Sequence, residues 1–143
     1  MKGFRDEAEF RRAFERILAL MNETPGVGRK LRDARAPHRF VFTDLGLELN
    51  VDGAPPAEEG KGIFLRWVWG PAPWEPVVTM RMTSEVANRF FQGKENVPVA
   101  LALGRVKLSG PPLTLLQLAP VTNPIHPAYR AWLAESGLRH LLA

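Results

Sequence analysis

The 143-residue sequence contains no cysteine. This absence excludes a disulfide framework, a thiolate metal site and a cysteine nucleophile. Long apolar runs are also lacking, because the longest uncharged apolar stretches fall far short of the ~20 residues that span a bilayer. Charged residues interrupt the opening MKGFRDEAEFRRAF every two or three positions, so this stretch predicts no signal-peptide core. We therefore expect a soluble, cytoplasmic protein.

Residue types that carry catalytic chemistry are few. The histidines are His38, His126 and His140, and no two of them have the i, i+4 spacing of one helix face. His126 lies between Pro124 and Pro127 in a predicted loop, and the sequence supplies no partner to activate it as a general base. A turn-stabilising or exposed role is favoured for it. Nucleophile-elbow, Walker and Rossmann patterns and clusters of metal ligands are absent. We therefore predict no catalytic residue, no metal and no cofactor, and a protein that is not an enzyme.

The net charge is +4 and the isoelectric point is about 10.0, with arginine far more frequent than lysine. Such a surplus favours anionic partners such as acidic lipids, acyl carboxylates or nucleic acid, but a solvated surface also shows it. The aromatic residues of the predicted strands alternate to the face opposite the basic ones. They cannot form a stacking platform between the charges, so we predict no nucleic-acid binding. Transient contact with an anionic membrane surface stays open.

The length fits a single domain over residues 1–143, which buries roughly 68–70% of its unfolded surface. Apolar residues at helical spacing, among them Phe10, Phe14 and Met21, predict a first helix. It ends at NETPGVG, and the basic stretch RKLRDAR leads on to Pro37. Five segments that alternate, or nearly so, are predicted strands: HRFVFT (38–43), LGLELNV (45–51), IFLRWVW (63–69), VVTMRM (77–82) and RVKLS (105–109).

This alternation decides the fold class. Strands of a parallel sheet covered on both faces would be apolar throughout. We therefore predict an α+β fold of two layers, with one mainly antiparallel five-stranded sheet and helices covering one face. Residues such as Phe40 and Met80 lie on the covered face. The opposite face is predicted to contain Arg39, Glu48, Arg66, Arg81, Arg105 and Lys107.

Three predicted helices after the fourth strand are strongly apolar. The first is SEVANRFFQ (84–92). The second, VPVALAL (97–103), has no polar face, so we expect it to be buried on every side or to line a cavity. LTLLQLA (113–119) is similar, and a final helix contains Tyr129 and Trp132. Periodicity alone favours a filled core over a tunnel, and both stay open here.

A series of short motifs occupies residues 78–110. Met82-Thr83-Ser84-Glu85 ends a strand and begins a helix, a Gly93-Lys94 turn with Asn96 nearby follows, and an apolar helix leads to the strand Gly104-Arg105-Val106-Lys107-Leu108-Ser109-Gly110. In order and spacing these motifs resemble the sterol carrier protein type 2 family. FVFTDLGLELNVDG (40–53) is similar to the family's first hairpin, so the resemblance spans most of the chain.

The resemblance implies a five-stranded sheet with helices on one side that enclose a hydrophobic tunnel, here in a stand-alone bacterial member. It implies non-catalytic binding or transfer of a lipid such as a fatty acid, an acyl-CoA, an isoprenoid or a sterol. Pro111-Pro112 replaces the family's small polar helix start, so we expect one tunnel wall to differ. We predict as wall residues Met80, Met82, Phe90, Phe91, Leu101, Leu103, Leu113, Leu116 and Trp132.

A basic residue near the tunnel mouth would hold an anionic head group. Strand alternation points Arg81 and Arg105 away from the tunnel, so Arg89 is the preferred candidate.

A protein-interaction or accessory module with a filled core is the alternative function. Such a module would regulate or scaffold a partner enzyme, or form a homodimer. Trp74, in the proline-rich loop GPAPWEP (70–76), would be a natural contact, although a ring tucked onto the core is slightly favoured. A small enzyme acting on a lipid is a third reading, for which the separate histidines are the only hint.

Overall fold

The computed structural model describes residues 3–143. Five strands and six α-helices form in this part of the chain. The strands are β1 His38–Phe42, β2 Leu47–Gly53, β3 Leu65–Trp69, β4 Val78–Met82 and β5 Lys107–Ser109. The helices are α1 Glu7–Glu23, α2 Val27–Asp33, α3 Ser84–Phe91, α4 Val97–Ala102, α5 Pro112–Leu118 and α6 Ile125–Glu135.

The sheet has the strand order β3-β2-β1-β4-β5. Three of its four neighbouring pairs are antiparallel, and the central pair β1–β4 is parallel, with His38 opposite Val78 and Phe42 opposite Met82. The helices cover one face of this sheet. The predicted α+β class, with a mainly antiparallel five-stranded sheet, is confirmed.

The register aligns apolar side chains across the whole covered face. One row runs through all five strands and consists of Trp69, Leu49, Phe40, Met80 and Leu108. Because side chains alternate along a strand, these five residues share a face and form the floor on which the helices pack.

Helix α1 covers the β1–β2–β3 half of the sheet. Asp6 caps its N-terminus by accepting a hydrogen bond from the Glu9 amide at 2.7 Å. Phe10 and Phe14, both buried, place their rings 4.6 and 5.0 Å from the Phe42 ring. Large aromatic side chains therefore fill this half of the core.

The carboxylate of Glu15 fixes the edge of the same interface. It accepts hydrogen bonds from the indole N–H groups of Trp67, at 3.1 Å, and Trp69, at 2.6 Å. Each tryptophan thus packs its ring towards the core and satisfies its polar atom on α1. The sequence pattern places both rings on this face but does not indicate the pairing with Glu15.

The loop between β3 and β4 crosses the outer face of the sheet. Asn50, fully buried, donates to the Gly70 carbonyl at 2.8 Å and accepts from Arg39 at 3.0 Å. Trp74 in this loop lies over the guanidinium of Arg66, 4.5 Å from it. The expectation that the Trp74 ring tucks onto the core was wrong, because the loop runs over the charged face.

Two ion pairs form among the charged side chains of the outer face. Arg39 lies 3.3 Å from Glu48, and Arg66 lies 3.0 Å from Asp52. Arg81 points outward as predicted and donates to the Ser109 hydroxyl. Exposed pairs of this kind each contribute little to stability, roughly 0–1 kcal/mol.

Several element boundaries differ from the sequence predictions. The basic stretch before Pro37 is largely helical, as part of α2, because Val27 and Leu31 face the core. Strand β3 begins at residue 65 rather than 63, and β5 covers three residues rather than five. The last helix ends at residue 135, before Gly137, whose φ of +76° a helix cannot accommodate.

Buried polar groups hold the C-terminal segment against α3. Asn88 and Gln92 each donate from the side-chain amide to the Leu141 carbonyl at 2.8 Å. The Tyr129 hydroxyl donates to the Asn88 carbonyl oxygen at 2.7 Å. All three side chains are buried, so each of these bonds satisfies a group that has no access to water.

Tyr129→Phe removes the hydroxyl that donates to Asn88. We expect it to lower the free energy of unfolding by about 1–2 kcal/mol, because the Asn88 oxygen is left buried without a donor. Urea denaturation measures the change. Ser109→Ala, which removes an exposed hydroxyl that also forms one hydrogen bond, is the control and should change it by less than about 0.5 kcal/mol. Equal effects of the two substitutions would contradict the network.

Candidate functional site

A cavity of about 60 Å³ lies between the sheet and helices α3, α4 and α5. Its lining is almost entirely apolar, with His38, Glu95 and Thr122 as the polar members. The apolar members are Met21, Leu31, Phe40, Met80, Met82, Phe90, Phe91, Val97, Ala100, Val106, Leu115, Leu118 and Ala119.

The cavity forms where small and unbranched side chains replace the aromatic residues of the other half. Met80 and Met82 form its floor on β4, and Ala100 is the one buried residue of α4 above it. An alanine facing two methionines leaves space that the Phe10 and Phe14 rings fill under α1. Methionine side chains also change shape readily, so the floor can adapt to an irregular occupant.

The predicted wall residues divide into two groups. Four of them, Met80, Met82, Phe90 and Phe91, line the cavity; their contact with a ligand stays a prediction. The others, Leu101, Leu103, Leu113, Leu116 and Trp132, do not line it. Trp132 lies on α6 instead, stacked on Tyr129 and under the guanidinium of Arg12.

The helix at 97–103 lines the cavity through Val97 and Ala100, which is one of the two expected alternatives, but it is not buried on every side. Leu103, directly after α4, is 66% exposed, and Leu113 on α5 is 63% exposed. One side of each helix therefore faces outward despite its apolar sequence.

A groove of about 640 Å³ opens at the surface next to the cavity. Phe90, Glu95, Val97 and Ala119 border both spaces, so they form the partition between them. The groove is more polar than the cavity, with His126, Arg130, Asn96 and Asn123 among its lining residues.

Glu95 is the charged residue of this partition. Its side chain is only 1% exposed and lies between two arginines. Arg105 donates to its Oε1 from Nε at 2.8 Å, and Arg89 Nε lies 3.4 Å from its Oε2. Within residues 3–143, Oε2 accepts no hydrogen bond. The two guanidinium groups therefore offset the free-energy cost of burying the Glu95 carboxylate.

The prediction that Arg105 lies on the outer face of the sheet was wrong, because its side chain pairs with Glu95 at the partition. Arg105 precedes β5, which begins at Lys107, so the alternation of the strand does not apply to it. Arg89, the preferred head-group residue, pairs with Glu95 at the partition and does not line the groove. Arg130, which the sequence analysis did not select, does line it and donates to the Gln92 carbonyl.

Two histidines border the cavity and the groove. His38 is buried, with Nδ1 3.1 Å from the Ala36 carbonyl oxygen, and burial lowers its pKa. His126 is half-buried in the first turn of α6 rather than in a loop. Burial and the nearby charge of Arg130 lower its pKa. Both rings are therefore neutral at pH 7.

No family model and no curated protein matches this sequence. Solved structures do match. The sterol carrier protein domain 2 of Helicoverpa armigera gives a TM-score of 0.57 at 18% identity, over 89% of this chain and 95% of that chain. The palmitated sterol carrier protein 2 like 2 of Aedes aegypti gives 0.51 at 20% identity, over 78% and 91%.

The sec-alkylsulfatase Pisa1 from Pseudomonas sp. gives a TM-score of 0.54 at 21% identity, over 66% of this chain. The match covers only 14% of the sulfatase chain, so the likeness concerns a small part of that protein.

These likenesses place the chain among two-layer α+β proteins that have helices on one face of a five-stranded sheet. More particularly, the fold is that of sterol carrier protein type 2, and the resemblance drawn from the sequence motifs is confirmed at the level of the fold. In the described part of the chain, no helix has the length and apolar character that a membrane span requires.

Glu95→Gln removes the charge that compensates Arg89 and Arg105. We expect the free energy of unfolding to fall by about 1.5–3 kcal/mol, the usual value of hydrogen bonds to charged groups. Urea denaturation is the measurement, and Glu85→Gln, at an exposed position of α3, is the matched control. If the Glu95 variant is as stable as the control, the ion pairs of Glu95 with Arg89 and Arg105 do not contribute to the free energy of unfolding.

The lowered pKa values of His38 and His126 predict a loss of stability in mild acid. Below the ordinary value of 6.5 the unfolded chain binds protons that the folded protein does not, so unfolding becomes more favourable as pH falls. The free energy of unfolding should therefore be lower at about pH 5.5 than at about pH 7.5. The double variant His38→Asn/His126→Asn should lose less over this interval, and an unchanged pH dependence would refute the assignment.

Proposed function

We propose that the protein binds a hydrophobic lipid and carries it without chemical change, with the apolar tail between the sheet and helices α3–α5. The observation that supports this is the apolar cavity at that position. The sterol carrier domain of Helicoverpa armigera has the same fold, and the Aedes aegypti protein of this fold is palmitated. Removing an acyl chain from water contributes about 0.8 kcal/mol per buried CH₂, which supplies the driving force.

The cavity must enlarge to admit a long chain. At about 60 Å³ it is far below the 300–1,000 Å³ typical of ligand pockets. The pliable floor of Met80 and Met82 and the exposed sides of α4 and α5 favour enlargement on the side of these two helices. In our proposal the cavity is thus the closed form of a site that the tail of the ligand opens.

The head group would lie in the groove, on the polar side of the partition. Arg130 lines the groove, and Arg89 and Arg105 stand close behind Glu95. These three cations exceed the one carboxylate, so the mouth favours an anionic head such as a carboxylate. Because carboxylates and phosphates both satisfy arginine, the ligand class is an anionic amphiphile.

Ala100→Leu tests the position of the tail, because the larger side chain fills the cavity from α4. We expect the affinity for the fluorescent fatty acid cis-parinaric acid to fall about tenfold, equivalent to about two displaced CH₂ groups. Fluorescence titration is the measurement. Ala102→Leu makes the same change at an exposed position of the same helix and should bind like the unmodified protein.

Thermal unfolding of both variants is the control for the fold, and their melting temperatures should be close to that of the unmodified protein. Mass spectrometry of organic extracts of the purified protein provides an independent test, in which a stoichiometric lipid supports the proposal. A protein with no extractable lipid and no affinity for the probe would instead favour the interaction module. Turnover of a lipid that is lost on His126→Asn would favour the enzyme.

A further inference from the structure

Exposed apolar side chains are concentrated beside the cavity. Four apolar side chains on or directly after helices α4 and α5 are between 40% and 66% exposed: Val99, Leu103, Leu113 and Leu116. We call this set the α4–α5 face. They account for four of the seven large apolar residues that are exposed among residues 3–143. Both helices also contribute to the cavity lining, so the same two elements cover the cavity and present leucines to solvent. Concentrations of this kind mark interaction surfaces.

The net positive charge of the sequence lies in the segment that contains α4 and α5. Residues 86–134 contain five of the 19 basic residues of the sequence and one of its 15 acidic residues. The net charge of this segment is therefore +4. The remaining 14 basic and 14 acidic residues of the sequence cancel. The one acidic residue of the segment, Glu95, is buried between arginines and presents no charge to the surface. Lys94 is exposed three residues before α4 begins.

We propose that the α4–α5 face docks on an anionic lipid bilayer, with its leucines inserted among the acyl chains and the surrounding basic residues on the head groups. Interfacial binding combines these two contributions, buried apolar area and attraction to acidic lipids. Docking itself is independent of any bound ligand. Its role in loading the cavity rests on the proposed function, because the elements that meet the bilayer are those that must move to open the site.

Charge argues against the other occupants of this face. A second copy would bring two surfaces of the same sign together, which opposes self-association through this patch. A neutral apolar partner would use the leucines but leave the basic residues without a role. An anionic bilayer satisfies both features at once.

Co-sedimentation with vesicles tests the proposal. We expect the protein to bind vesicles of phosphatidylcholine and phosphatidylglycerol, and to bind pure phosphatidylcholine at least about fivefold more weakly. High salt should also weaken binding. Leu103→Ser/Leu113→Ser should reduce binding about fivefold or more, whereas Ile63→Ser/Leu142→Ser, a pair with exposed apolar residues outside this face, should not.

The charge contribution has its own matched pair. Lys94→Gln should weaken binding to the acidic vesicles, and Lys61→Gln, which removes an exposed lysine from the balanced part of the chain, should weaken it less. Equal effects within either pair would overturn the proposal. So would a leucine variant whose only change is from dimer to monomer in analytical ultracentrifugation, since the face would then join two copies.

Titration with cis-parinaric acid in the absence of vesicles separates the two proposals. A protein that binds the acid but no vesicles refutes docking and leaves the carrier function standing. A protein that binds acidic vesicles through the leucines but not the acid refutes the carrier function and supports docking.

Discussion

The packing of Phe10 and Phe14 from α1 against the sheet is the interaction on which the rest of the structure depends. These rings contact Phe42 and Trp69 and close the space over the β1–β2–β3 half without a gap. The long helix thereby anchors one half of the molecule through aromatic contacts that few alternative arrangements could reproduce. The other half is left to short helices.

This division explains why the cavity lies where it does. Over β4 and β5 the covering elements are α3, α4 and α5. Helix α3 contributes Phe90 and Phe91, whereas α4 and α5 contribute an alanine, a valine and individual leucines rather than further aromatic rings. The buried hydrogen bonds of Asn88 and Gln92 hold α3 in place. Helices α4 and α5 form no comparable polar network among the described residues. A half covered by one long aromatic-rich helix and a half covered by short helices therefore share one sheet, and the candidate site belongs to the second half.

The sheet could be predicted from the sequence because its signal is local. A strand with one covered face must alternate, and the row from Trp69 to Leu108 follows that pattern strand by strand. Met80 and Met82 could be assigned to the covered face for the same reason. Their position at a cavity, rather than in filled core, depends on which helix lies above them, and alternation carries no information about that.

The rest of the site depends on contacts between distant segments. A helix such as α4, apolar on all sides, has no polar stripe to show which side faces outward, so the exposure of Leu103 could not be predicted. Glu95 follows Lys94 in a segment whose sequence is typical of a solvated turn. Its burial depends on the contact with Arg105, which lies ten residues further along the chain, in the turn before β5. Arg105 itself was misassigned because the strand pattern was extended two residues beyond the strand.

The separation of charge along the chain has a physical consequence of its own. The segment at 86–134 contains the whole surplus of positive charge, because the remainder of the sequence carries equal numbers of basic and acidic residues. In our docking proposal, an anionic surface therefore attracts this segment more strongly than the rest of the protein. With a Debye length of about 8 Å at physiological ionic strength, this attraction acts only over the last stage of an approach. The bilayer would thus orient the protein just before contact rather than draw it in from a distance.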